Sequence, residues 1–354
     1  MTSKLKENML TGVRELYPGY FALVMATGIV SIASFMLGMA YLAWPLFLIN
    51  KAAYVILWLL TLIRLLRYFP DFIDDLIDHV RGPGFFTVVA GTCVLGSQYV
   101  IISGDYATAI YLWFTGILLW FIHVYTFFTA MVVHEPKPDL ETGIHGGWLI
   151  SVVAIQSISV LGTLVVSSFP AGQETILFFT LFMYLFGAML YLLIISLIFY
   201  RLIFFRPLPK SFTALYWVNM GAAAITTLAG ARLIQNTNHW AFLQEILPFL
   251  KGFTLFFWAT ATWWIPLLLI LGAWRHVYKR FPLGYDPQYW SIVFPFGMYT
   301  TSTLVFAQAT GLAPFYLISR YFIYAALVAW VITFIGMVRS IVNRLVITKK
   351  ITGF

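Results

Sequence analysis

The sequence predicts an all-α membrane protein, ten transmembrane helices paired as five helical hairpins, and three observations point there. Of 354 residues, 61% are hydrophobic and only 10% are charged, against roughly 25% charged in soluble domains. Uncharged runs such as Tyr20 to Leu37, Thr87 to Ser103, Ile176 to Tyr200 and Tyr321 to Val338 approach the roughly 20 residues with which a helix crosses a bilayer. A helix-start pattern also recurs along the chain. A transmembrane barrel would show short alternating segments instead of long unbroken apolar runs.

Residues 1–16 carry Lys4, Lys6, Glu7, Arg14 and Glu15 and lack the apolar core of a secretory signal, so they read as a cytoplasmic N-terminal segment. The first span, 17–38, opens Pro18-Gly19-Tyr20-Phe21 and carries Thr27, Ser31 and Ser34 on one face. The second is 45–68. From Pro70 to Val80, Phe72, Ile73, Leu76 and Ile77 oppose Asp71, Asp74, Asp75 and Asp78, the pattern of a short interfacial helix whose acidic face is solvated or meets a partner.

The third span, 83–103, repeats the opening as Pro83-Gly84-Phe85-Phe86, 65 residues after the first, and aligns Thr92 with Gly96. Cys93 is the only cysteine, which excludes an internal disulfide or a cysteine metal cluster. His123 lies in the fourth span, 106–133, as a satisfied buried group or as a proton carrier. His134-Glu135 is followed by Pro136 and Pro138, so the second histidine of a zinc-protease helix is missing. The fifth span, 146–168, starts near Gly147-Trp148 and carries Gln156, Ser159 and Thr163.

The sixth span is 174–203. The seventh, 212–234, starts at Tyr216-Trp217, aligns Asn219, Ala223 and Thr226, and ends near Arg232. After the eighth, 250–275, the ninth, 289–310, starts at Tyr289-Trp290 and aligns Phe294, Gly297 and Thr301, with Pro295 predicted to kink it. The tenth is 315–342. Residues 17–345 form the transmembrane domain and 346–354 a cytoplasmic tail.

With ten spans, every lysine and arginine except Lys51, Arg232, Lys251 and Arg320 falls on one side, which places both termini in the cytoplasm of an inner or plasma membrane. This topology accounts for the net charge of +8 without a nucleic-acid partner. Two-helix units enter the bilayer in one direction, so a ring of five hairpins satisfies the repeat. The odd spans carry small and hydroxyl residues, and the even spans read as Leu, Ile, Phe and Tyr. Such stripes serve close packing between helices or line a polar path, and five of them on alternate spans favour an inner ring.

All 13 carboxylates lie in termini, loops or span ends, which weighs against cation pathways and proton relays. A neutral polar path suits small anions, with Thr27, Ser31, Thr92, Gln156, Ser159, Asn219, Thr226, Gly297 and Thr301 lining it. Arg232 and Lys251 at the outer rim either attract anions or snorkel. No nucleophile-and-base motif, metal cluster or cofactor motif is present, so an intramembrane enzyme or a sensor is disfavoured.

The segment Pro18 to Val30 and the run Val293-Phe294-Pro295-Phe296-Gly297-Met298-Tyr299 resemble the first and ninth helices of the tellurite-resistance/dicarboxylate transporter family, which includes slow anion channels and malate permeases. The resemblance covers residues 15 to 345. It implies a quasi-fivefold central pore lined by the odd helices, a homotrimer, and a phenylalanine gate carried onto Phe294, with Phe296 second. It leaves open passive passage of anions such as malate or succinate, proton-coupled dicarboxylate symport, and export of sulfite or tellurite-related anions.

Overall fold

Five helices begin in the same way. A 3-10 turn at Pro18–Phe21 leads into α1 (Ala22–Met36), Gly82–Phe85 into α3 (Phe86–Gln98), Gly146–Leu149 into α5 (Ile150–Val165), Ala214–Trp217 into α7 (Val218–Gln235) and Pro287–Tyr289 into α9 (Trp290–Thr310). Proline suits a first turn because its missing N–H has no helical partner there. The five turns touch in cyclic order, so these helices all start at one end of the molecule. A Cβ added to Gly84 would lie 2.8 Å from the backbone nitrogen of Gly19, so the repeated Pro-Gly pairs let two helix starts meet backbone to backbone.

The computed structural model describes residues 10–206 and 208–351, with side chains described as far as 343. Lys4, Lys6 and Glu7, the side chains of Arg344, Lys349 and Lys350, and the last three residues of the tail lie outside the described residues. No strand occurs among the described residues. The remaining long helices are α2 (Ala40–Arg67), α4 (Tyr106–Val133), α6 (Gln173–Phe204), α8 (Leu247–Ala273) and α10 (Ala313–Ile351).

The two sets differ in burial. In α1, α3 and α5, 83%, 83% and 94% of the most apolar stretch is buried, against 17–50% in α2, α4, α6, α8 and α10. The first set packs in the order α1, α3, α5, α7, α9 and back to α1. Each of its members also packs against the helix that follows it in the chain, and that outer helix touches the next inner one. Gly38, Gly104 and Gly311, all with positive φ, turn the chain from α1, α3 and α9 into their followers, a conformation in which glycine carries no Cβ penalty.

Eight helices among the described residues are long and apolar enough to cross a membrane: α1 to α6, α8 and α10. The other two long helices, α7 and α9, are rich in Gly, Ala, Thr and Ser. Nearly every residue from Val218 to Ile234 of α7 is buried against protein.

The short helix Phe69–Ile77 follows α2 at the end where the inner helices start. Its acidic face meets the chain's own cations. Asp71 pairs with Arg14, and Asp75 pairs with both Arg64 and Arg81. Arg64, 3% exposed, also donates to the carbonyls of Arg14 and Leu16 at 3.0 Å each, holding the chain just before Pro18.

Candidate anion path

The inner helices do not close on one another completely. A narrow cavity is walled by all five: Ile29 and Ile32 of α1, Val94 and Ser97 of α3 with Ile101 of the turn beyond it, Ser157, Val160 and Leu164 of α5, Ile225, Leu228 and Arg232 of α7, and Met298 and Thr301 of α9. These positions recur every three or four residues, so each helix turns one face to the cavity. The wall carries no carboxylate, and Arg232 is its only charge. Its free volume, about 20 Å³, has room for roughly one water.

Arg232 sits in the last turn of α7, where a cation also complements the helix dipole. Its Nη1 donates to Gln235 Oε1 at 2.9 Å, while its buried Nε has no partner among the described residues.

One turn toward the helix starts, the face of α9 that carries Met298 and Thr301 continues to Phe294. Phe294 is 1% exposed. A Cβ added to Gly221 of α7 would lie 3.4 Å from Cδ1 and Cε1 of its ring and 2.8 Å from Cγ of Pro295, so the ring occupies space that a larger residue on α7 would claim. Phe296 points elsewhere, packing against Trp217 and Phe322 with ring centroids 5.0 and 5.5 Å apart.

Of the polar residues expected on the path, Thr301 reaches the cavity wall together with Arg232. The others lie mainly at helix contacts. Thr27 Oγ1 accepts from Trp330 Nε1 of α10 at 3.0 Å. Ser31 Oγ donates to the Ala43 carbonyl of α2 at 2.8 Å. Thr92 Oγ1 donates to Val88 O and meets Tyr54 Oη of α2 at 3.0 Å. Gln156 Nε2 and Ser159 Oγ donate to the carbonyls of Tyr184 and Thr180 on α6, at 3.0 and 2.8 Å. Thr226 bonds its own helix at Ala222 O. Gly297 faces Ile29 and Val30 of α1. Asn219 is fully buried, with a side-chain amide that has no partner among the described residues. Lys251 is exposed at the start of α8, away from the cavity.

The apolar lining, with Ser97 and Ser157, escaped a search for polar stripes because an aliphatic lumen has the same composition as a packed core. Arg232 carries the one legible signal: stepping back from it by four and seven residues reaches Leu228 and Ile225. His123, on α4, bonds Leu119 O through Nδ1 at 2.7 Å and packs near Phe85 and Phe86, away from the cavity.

Comparison with known proteins fits a membrane transport protein. An uncharacterized transporter of Methanocaldococcus jannaschii is 22% identical over 349 residues, 97% of this chain and 100% of that protein. A second from the same organism is 24% identical over 304 residues, 84% of this chain and 85% of that one. An uncharacterized membrane protein of Mycobacterium tuberculosis is 37% identical over 153 residues, 43% of this chain and 77% of that protein. The family described as voltage-dependent anion channel matches residues 15–338, and the chain belongs to that family.

Proposed function

We propose that the chain is a passive pathway for small anions, with ten spans arranged as five hairpins about a quasi-fivefold axis and both termini in the cytoplasm of an inner or plasma membrane. α7 and α9 then cross the membrane inside the protein, shielded from lipid by the outer helices. The observation that carries this reading is the axial cavity: all five buried helices contribute to its wall, which holds one cation and no carboxylate. The hydroxyls of Ser97, Ser157 and Thr301 donate to the carbonyls of Cys93, Ala154 and Gly297 on their own helices, so Arg232 is the donor the wall offers a desolvated anion, and no carboxylate repels it.

Phe294 closes the path one turn from the cavity, and Arg232 draws anions from the opposite side. Malate and succinate are among the candidate substrates, and sulfite is another. The family resemblance adds a homotrimer with one path in each subunit. Proton-coupled symport through His123 is disfavoured, because that ring bonds its own helix away from the cavity.

Reconstitution in liposomes tests the gate. Phe294→Ala should raise efflux of chloride, nitrate and malate at least about tenfold, equivalent to ~1.4 kcal/mol off the barrier. Equal efflux at matched protein insertion removes Phe294 from the role.

A further inference from the structure

We propose that the cleft between the end of α6 and the first turn before α7, separate from the axial path, binds a phosphate-bearing anion. The cleft has a volume of about 340 Å³, within the range of small-ligand sites. Arg201, Arg206 and Lys210 line it together with Ser211 and Thr142, and Glu141 also faces it.

Arg201 is held in place. Its Nη1 donates to the carbonyl of Ile144 and to Tyr216 Oη, and its guanidinium carbon lies 5.9 Å from the centre of the Tyr216 ring. A fixed guanidinium is a pre-organised partner for phosphate oxygens. Arg206 and Lys210 are exposed and have no carboxylate within ion-pair distance among the described residues. Glu141 and the carbonyl end of α6, worth about half a negative charge, oppose an anion but do not balance three cations.

On the proposed topology, on which this inference rests, the cleft opens where α6 leaves the membrane, at the level of lipid headgroups, and basic pockets of this kind take phosphorylated headgroups. Phe205 and Leu208, beside the cations, offer apolar surface to an acyl chain. A lipid phosphodiester and free phosphate share the recognised chemistry.

The test uses the full-length protein purified in detergent. Retention of phosphatidylglycerol against phosphatidylcholine is read by native mass spectrometry, and stabilisation by inorganic phosphate by thermal unfolding. Arg206→Gln with Lys210→Gln should weaken phosphatidylglycerol retention roughly tenfold or more. Lys137→Gln with Lys279→Gln, which removes the same charge from exposed sites elsewhere, should leave it unchanged. Loss of lipid retention alone identifies a headgroup site. Loss of a phosphate-induced thermal shift as well identifies a site open to free phosphate. If the two double variants behave alike in both measurements, the proposal is overturned.

Discussion

Arg232 and Thr27 are both polar groups on buried helices, but their surroundings give them different tasks. Thr27 receives the indole N–H of Trp330, a bond between helices of the kind worth about 0.6 kcal/mol in membrane proteins. Thr27→Val should therefore lower stability by about that amount in a denaturant titration and leave anion flux as it was. Arg232 has a buried nitrogen without a partner among the described residues and faces the cavity, so on the proposed reading its charge acts on the solute. Arg232→Gln should reduce anion flux in liposomes, with a larger reduction at low ionic strength, where screening of the guanidinium is weakest. A flux loss that ignores salt would point to a packing defect. The Phe294→Ala test belongs at the same scale, because the Gly221 gap and the Phe294 ring are complementary at single-residue resolution.

At the scale of elements, each outer helix sends one aromatic donor to the next inner helix. Tyr54 of α2 meets Thr92 of α3, Trp113 of α4 donates to Ile158 O of α5, Tyr191 of α6 to Asn219 O of α7, Trp258 of α8 to Thr303 of α9, and Trp330 of α10 to Thr27 of α1. Two stripe hydroxyls, Thr92 and Thr27, take part in these contacts, and Ser31, Gln156 and Ser159 bond carbonyls of the outer helix that follows their own: a polar group in hydrocarbon seeks a partner, and close helix approach supplies one. The start of α5 depends on a different device. His145 Nδ1 accepts from the Gly147 N–H at 3.0 Å and Nε2 donates to Val80 O at 3.1 Å, so the ring must be neutral. Burial, with Arg201 nearby, pushes its pKa down to about 4. Unfolded, the ring takes its proton near 6.5, so its contribution is complete above that pH. It is lost as pH falls from about 6.5 to about 4, at a cost of up to about 3 kcal/mol. Thermal unfolding across that range should show the loss in the wild type. His145→Asn, which keeps a capping acceptor that does not titrate, should lack it.

For the whole molecule, the cyclic contacts of the five helix starts put α1, α3, α5, α7 and α9 in parallel, so the loops before them share one side and the loops after them share the other. Cysteines introduced at the exposed positions Asn238 and Glu135 should then differ in access. With the native Cys93 buried, a membrane-impermeant maleimide should label Asn238→Cys on intact cells and Glu135→Cys only after permeabilisation. Labelling of both from outside would break the ten-span topology.

Composition and the long apolar runs were enough to determine a helical protein in lipid, because a bilayer tolerates few backbone solutions and the apolar length of each outer helix is written directly in its residues. The Pro18-Gly19 and Pro83-Gly84 repeat was equally legible, since a first turn and a backbone-to-backbone approach need those residue types. Which face of each inner helix looks at the axis was decided only by tertiary packing. Thr27, Ser31, Thr92, Gln156 and Ser159 could bond a neighbouring helix or a passing solute, and residue type does not distinguish the two. Ile225, Leu228 and Met298 could fill a core or wall a cavity with the same chemistry. The rotation of the five helices about their own axes, set by the partners each polar group found, turned Thr27, Ser31, Thr92, Gln156 and Ser159 toward neighbouring helices and left Arg232 and Thr301 at the cavity wall.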